Sequence, residues 1–309
     1  VVDDSLAEVP QMLADEGSRY PAFHLEFGAA MREFLRQDDR IVGVRATTTD
    51  GSREYPADLV IGADGRHAVT RKHSALADID FPQDYDVLWL KVPYPEGHPD
   101  QTTARVEIAA QRVAVAFPSA DGKFQIGFVI PKGAFSTFRA TPPEERAEAL
   151  IGELPQYLAG HLRAHSDQVA NATLLNVVCG RLSEWSVPGL LMIGDAAHPM
   201  SPVGGQGINI ALRDALVAAN HLVPALTGGG DPEAVDMAAR CVRDERWPEI
   251  VAVQKMQQSQ ARMFNPARWG TGFAYRLLPW LVRTGFLQWL HRKEYREMSE
   301  GVVPVRLVV

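Results

Sequence analysis

The chain has 309 residues, 46% of them apolar and 22% charged, with a formal net charge of −7. That composition can bury a sizeable core, which excludes intrinsic disorder, and the length suits two domains or one large one. The acidic balance carries no basic stripe, which argues against a nucleic-acid module, although a local backbone site can still hold an anion. Cys179 and Cys241 lie far apart with no CxxC or Cys/His spacing, which excludes a disulfide framework and a structural zinc and fits a reducing cytoplasm.

The chain opens VVDDSLAEVP, without Met and without a basic-then-apolar leader. Residues 23–27 (FHLEF) alternate, Ala29–Arg36 is assigned to strand despite its helical propensity, and Arg40–Thr47 is rich in β-branched residues ahead of an Asp50-Gly51 turn. Ala57–Ala63 (ADLVIGA) is a short, continuously apolar run that ends in Gly and Asp, as a buried parallel strand does. Four strand-like runs follow between Asp86 and Pro131, the last two joined by an Ala120-Asp121-Gly122 turn. Thr141-Pro-Pro-Glu-Glu predicts a Thr-capped helix running to about Glu153, with a second short helix around Tyr157–His165. Strand returns near Ala172–Arg181 and again at Leu190–Ile193.

A long helix is then predicted with Ile208, Ala211, Leu212, Ala215, Ala219 and Leu222 on its apolar face. Gly228–Gly230 ends it, and Asp231-Pro232 opens the next helix. Near the C-terminus, Phe273–Leu290 is apolar but interrupted by Arg276, Pro279, Arg283 and Gly285, so it is read as a docked helix pair and not a spanning segment. A membrane-surface or homodimer contact is the second reading of that stretch.

The segment that carries chemistry is Gly194–Asn209, GDAAHPMSPVGGQGIN. A strand ending in Asp at a carboxyl edge is placed to take a ribose hydroxyl, glycines admit a ligand to backbone N–H groups, and a helix entry adds its positive end. A loop that merely turns a corner is the alternative. The segment resembles the second FAD motif of the para-hydroxybenzoate hydroxylase-like flavoprotein monooxygenases, G-D-A-A-H-x-x-x-P-x-x-G-Q-G-x-N. Gly194, Asp195, Ala196, Ala197, His198, Pro202, Gly205, Gln206, Gly207 and Asn209 all match. Ala57–Arg71 resembles that family's other shared motif through Gly62, Ala63, Asp64, Gly65 and Arg71, with Ala68 where Ser is usual and Thr70 where Val is usual.

The resemblance runs from about Pro10 to Trp247 and implies a mixed α/β fold: a partial Rossmann-like FAD-binding domain with an inserted β-sheet substrate domain. The division expected is FAD-binding over 1–80, β-rich substrate domain over 81–180, FAD-binding again over 181–245, and C-terminal helices over 246–309. By the resemblance Asp195 would bond a ribitol or ribose hydroxyl of FAD. Gly205, Gln206 and Gly207 would turn N–H groups toward the isoalloxazine, with Gly194 and Ile208 in the same motif. Pro202 would line the ring, Asn209 would hold the helix entry or a flavin carbonyl, and Asp64, Gly65 and Arg71 would help organise FAD and the approach of NAD(P)H. His198, a lone loop histidine, is expected to be packed and hydrogen-bonded and not catalytic. Trp89, Phe117, Phe124, Phe128 and Phe135 are wall residues or ordinary core.

The activity implied is hydroxylation of an apolar, aromatic small molecule, with NAD(P)H and O2 as co-substrates, through a flavin hydroperoxide. The family also carries a GxGxxG fingerprint that this sequence lacks, and about a hundred family residues are expected to precede the first residue here. If the molecule itself lacked them, FAD would be held more weakly. Two other readings stay open: another flavin-dependent oxidoreductase (reductase, dehydrogenase or halogenase), and a non-catalytic remnant that binds no FAD. A serine hydrolase has no GxSxG to rest on, and a metal hydrolase has no clustered ligands.

Overall fold

The computed structural model describes residues 4–95, 105–109, 112–119, 121–152, 154–263 and 301–309. Helix α1 (Asp4–Gly17) precedes an antiparallel meander of β1 (Ala30–Gln37), β2 (Arg40–Thr48) and β3 (Gly51–Pro56). Next come β4 (Val60–Gly62), helix α2 (Val69–Ser74) and β5 (Asp78–Asp80). The middle of the chain contributes β6 (Tyr85–Pro93), β7 (Arg105–Ala109), β8 (Arg112–Pro118) and β9 (Lys123–Pro131). Helices α3 (Phe135–Ala140), α4 (Pro143–Ile151), α5 (Gln156–Arg163) and α6 (Ser166–Ala170) follow. Short strands β10 (Thr173–Leu175), β11 (Gly180–Leu182), β12 (Ser186–Val187) and β13 (Leu190–Met192) lead to the long helices α7 (Gly207–Thr227) and α8 (Pro232–Met263). The class is mixed α/β, as the sequence implies.

Two units divide the chain: residues 1–26 with 83–177, and residues 27–82 with 178–309. In the first, the antiparallel sheet β10-β6-β9-β8-β7 turns one face to the helices. Period-two alternation sends Leu88, Leu90 and Val92 of β6, Ala114 and Ala116 of β8, and Phe124, Ile126 and Phe128 of β9 into one core with Leu150, Ile151, Leu158 and Leu162. Each such large side chain contributes about 1.5–3 kcal/mol by leaving water. Trp89, on the other face, lies against Gly127, where a Cβ would come within 2.8 Å of its ring, and meets Phe117 edge-on at 5.8 Å.

In the second unit, β13 pairs with β4 in parallel, Leu190 to Val60 through Met192 to Gly62, and with β12 antiparallel. The turn from β12 into β13 passes so close to β2 that a Cβ at Gly189 would lie 1.9 Å from Ile41 O, and Gly189 also takes φ +78°. Only glycine meets both demands. Leu182, Trp185, Leu190, Leu191, Met192, Val217, Val242 and Ile250 form this unit's core.

Several expectations are corrected. Residues 23–27 form no strand, and Leu25 and Phe27 are exposed. Thr141 does not cap α4: its hydroxyl donates to Thr137 O, closing α3, a helix the sequence did not signal, and α4 begins behind Pro142 with no side-chain cap. The apolar face of α7 is also rotated from the expected one. Ile210, Asp214, Val217, Ala218 and Leu222 are buried, while Ile208, Leu212 and Ala215 are exposed. The cause is Asp214, which a purely apolar pattern reads as solvent-facing. The Phe273–Leu290 stretch lies outside the described residues, and so does most of the segment assigned to C-terminal helices. Among the described residues no helix is long and apolar enough to cross a membrane.

Candidate functional site

Parallel pairing of β4 and β13 brings the two sequence motifs to one carboxyl edge, where Ile193 N–H donates to Gly62 O at 3.0 Å. Beyond β4, both carboxylate oxygens of Asp64 are taken by Thr70, through its N–H (3.0 Å) and its hydroxyl, so Asp64 tethers the first turn of α2 across Gly65. Arg71 turns away from the edge: its Nε donates to Asp78 at 2.7 Å and one terminal nitrogen reaches Ala196 O at 3.5 Å. It therefore steadies the loop after β13 from behind.

That loop opens with a one-turn 3-10 helix, Gly194–Ala196. Gly194 O accepts from the N–H groups of Ala197 and His198, both at 2.9 Å, and Gly194 N–H donates to Asp214 Oδ2 of α7 at 2.9 Å. His198 Nε2 lies 2.6 Å from the same oxygen, so the hydrogen sits on Nε2. One carboxylate thus holds both ends of the turn that carries Asp195. His198 is packed and hydrogen-bonded as expected, its ring 4.8 Å from that of Trp185.

Asp214 is itself held by Arg246 Nε at 2.7 Å, Arg246 also bonds Glu249, and Glu249 bonds Arg213 Nε at 3.0 Å. Asp214, Arg246 and Glu249 are all fully buried. Burial pushes the Asp214 carboxyl up, but His198 and Arg246 pull it further down, and the net direction is below the usual carboxylate range. Glu249 moves the same way, with burial opposed by Arg246 and Arg213. Glu249 Oε1 accepts Val302 N–H at 2.8 Å, so the network reaches the described end of the chain.

The loop then runs to Pro202 and a second short 3-10 turn, Val203–Gly205, before α7. Gly204 and Gly205 adopt φ +79° and +63°, and a Cβ on Gly205 would meet nothing within 4 Å, so the backbone there faces open space. The Gly205 N–H donates to Pro202 O at 3.0 Å, and the Gln206 amide bonds Gly204 O at 3.1 Å. Among the described residues no side chain caps α7, so the first-turn N–H groups of Gly207, Ile208 and Asn209 remain available there. A Cβ built on Gly207 would lie 3.9 Å from Asp195 Oδ1, which brings the motif carboxylate beside those donors. Both Asp195 and Arg66 are partly exposed, with Arg66 Nη2 at 3.9 Å.

The structure therefore gathers Asp195, Gly205, Gln206, Gly207, Ile208 and Asn209 at one helix entry, with Pro202 just before it. Asp64 and Arg71 act on the scaffold. Sequence reasoning missed Asp214, Arg246 and Glu249. The signal for the first was present: an acidic residue standing in the stripe Ile210, Val217, Ala218, Leu222 at helical spacing.

Residues 5–247 match the family model described as "FAD binding domain". The 6-methylpretetramide 4-monooxygenase of Streptomyces rimosus is 32% identical over 251 residues, which cover 79% of this chain and 57% of that protein. A kynurenine 3-monooxygenase of Stenotrophomonas maltophilia is 28% identical over 267 residues, covering 79% and 53%. The chain thus spans about half the length of the curated relatives it matches. Among solved structures, PqsL, a probable FAD-dependent monooxygenase from Pseudomonas aeruginosa, superposes with a TM-score of 0.68 at 19% identity, covering 83% of this chain and 69% of that one, a likeness of fold. With a single family model spanning 243 of its 309 residues and both motif loops meeting at one sheet edge, the chain belongs to the FAD binding domain family.

Proposed function

We propose that this chain holds FAD and forms the substrate sheet of a monooxygenase that hydroxylates an apolar, aromatic small molecule with NAD(P)H and O2. The observation that carries the reading is the Asp195 carboxylate beside the uncapped first turn of α7, with open space at Gly205. The residues present fit the cofactor: a carboxylate to accept from sugar or ribitol hydroxyls, and N–H donors at a positive helix end for the electron-rich edge of the ring. When bound, FAD supplies the redox chemistry that no side chain here can perform.

This chain's residues bind and orient. In this reading Asp195 accepts from a hydroxyl, and Gly207, Ile208 and Asn209 donate from the backbone. Gly205 leaves room for close approach, Pro202 lines the ring, and Gly194 lets the loop turn. Asp64, Gly65 and Arg71 hold the neighbouring loop and, with Arg71 at Ala196 O, keep Asp195 in place. Trp89 and Phe117 lie on the sheet face away from the helices. Phe124 and Phe128 belong to the core. The monooxygenases named among the relatives support the reaction class.

The test is the visible absorption spectrum of the purified chain, before and after incubation with excess FAD and gel filtration. Retained flavin bands are expected, followed by substrate-dependent NAD(P)H oxidation with O2 uptake. A colourless protein after reconstitution would favour the remnant reading. Retained flavin without O2 uptake would favour another flavin-dependent oxidoreductase.

A further inference from the structure

The loop between His198 and α7 satisfies only part of itself: Pro202 O and Gly204 O are bonded from within it, and Pro199 O accepts from Gly180 N–H at 3.0 Å. Pro199 and Pro202 have no N–H, and the donors to Ser201 O and Val203 O come from α8. Gln257, 2% exposed, donates both hydrogens of its side-chain amide, to Ser201 O and Val203 O at 3.0 Å each. One turn earlier Gln254, 3% exposed, donates to Pro199 O at 3.3 Å and Gly180 O at 2.6 Å, while its oxygen accepts from Arg181 at 2.9 Å. Two buried amides on one helix face thus hold carbonyls 201 and 203 and share carbonyl 199 with the Gly180 N–H, and a single amide bridges the two peptide carbonyls on either side of Pro202. Both glutamines lie beyond the segment matched by the family model, which ends at 247.

We infer that Gln257, seconded by Gln254, is a positioning residue for the cofactor-facing loop: its amide fixes Pro202 and the path into the donors of α7. The inference rests on the flavin reading above, since it assigns a purpose to the loop's fixed position. An amide with both hydrogens committed defines a loop position that an apolar contact of equal volume would leave free to slide.

The experiment compares the wild-type chain with Gln257→Met, which keeps the length and removes both donors, and with Gln257→Asn, which keeps the amide but falls short of the loop. Hydrogen exchange is followed by mass spectrometry across 200–210, and FAD binding by quenching of flavin fluorescence and by the bound spectrum. Both variants should exchange the loop amides at least about tenfold faster, with exchange in β6 and β9 unchanged. Their FAD dissociation constant should rise by a similar factor, and the bound spectrum should move toward free flavin. Unchanged loop exchange overturns the inference. Faster exchange with unaltered flavin affinity and spectrum overturns it too, because the clasp would then serve the fold alone. A wild-type chain that takes up no flavin defeats the functional reading separately, and the exchange comparison still decides whether Gln257 holds the loop. Should Gln257→Met fail to fold, Gln257→Asn and Gln254→Met carry the same comparison.

Discussion

In the unit built on the five-stranded sheet the interior is hydrocarbon. Leu88, Ile126, Phe128, Ile151 and Leu162 interlock, and the one carboxylate buried among its described residues, Asp86, sits at a strand end where Lys132 and the N–H groups of Val177 and Gly133 reach it. The unit that carries the two motifs also has an apolar core, but it buries His198, Asp214, Arg246 and Glu249 within it, directly behind the loop that carries Asp195. Apolar packing is non-directional and tolerates small shifts, whereas a buried ionic network is satisfied in few geometries and costs dearly when one member is lost. The difference teaches where this chain needs position and where it needs only stability.

The largest effects should come from the two cores, and they should differ in kind. Asp214→Asn leaves the Arg246 charge buried beside a neutral amide, and is expected to cost about 3–5 kcal/mol in denaturant unfolding. It should also release the Gly194–His198 turn, seen as faster amide exchange there. Phe128→Ala in the sheet core should cost a similar amount, about 3–5 kcal/mol, yet leave exchange at that turn unchanged. Equal loosening of the turn by both variants would break the comparison.

Asp86 sharpens it at intermediate size. Burial raises its carboxyl, but Lys132 and the Val177 and Gly133 amides together hold it below the ordinary value of 3.8. Its contribution is therefore complete above that value and is lost as pH falls through the lowered native one. Asp86→Asn should be less stable at neutral pH and lose stability less steeply on acidification below about pH 4, in unfolding curves taken across that range. A slope identical to that of the wild type would show that the carboxylate is not held as described.

The smallest effect is expected at Gly205. Alanine there meets no atom but must adopt φ +63°, a cost of about 1 kcal/mol in stability, measured by thermal or denaturant unfolding. If the open space serves a ligand, Gly205→Ala should weaken FAD binding more than it weakens the fold.

The site was legible in the sequence to the extent that backbone chemistry was written into residue type. Gly194-Asp195 after an apolar run, and Gly205–Gly207 ahead of a helix, locate a ligand edge because few other residues serve those turns. The clasp behind it was not legible. Gln254 and Gln257 look like solvent-facing residues in QKMQQSQ, and Asp214 interrupts an otherwise apolar face. Their partners lie 54 to 74 residues away for the glutamines and 32 for the Asp214–Arg246 pair, and no local period reports such distances. Thr141 illustrates the opposite error: a cap signal written in residue type goes unused because α4 starts behind Pro142, and the hydroxyl donates back to Thr137 O.

By itself, then, the sequence determined the α/β class, the strand runs of the middle sheet, the two motif loops and the family they resemble, because alternation and turn chemistry are local. Tertiary structure alone decided that β4 and β13 lie side by side, that α7 turns Asp214 inward, and that α8 reaches across to hold the Pro202 loop. Those outcomes depend on where a buried charge or carbonyl finds its partner, and that is settled only when distant segments pack together.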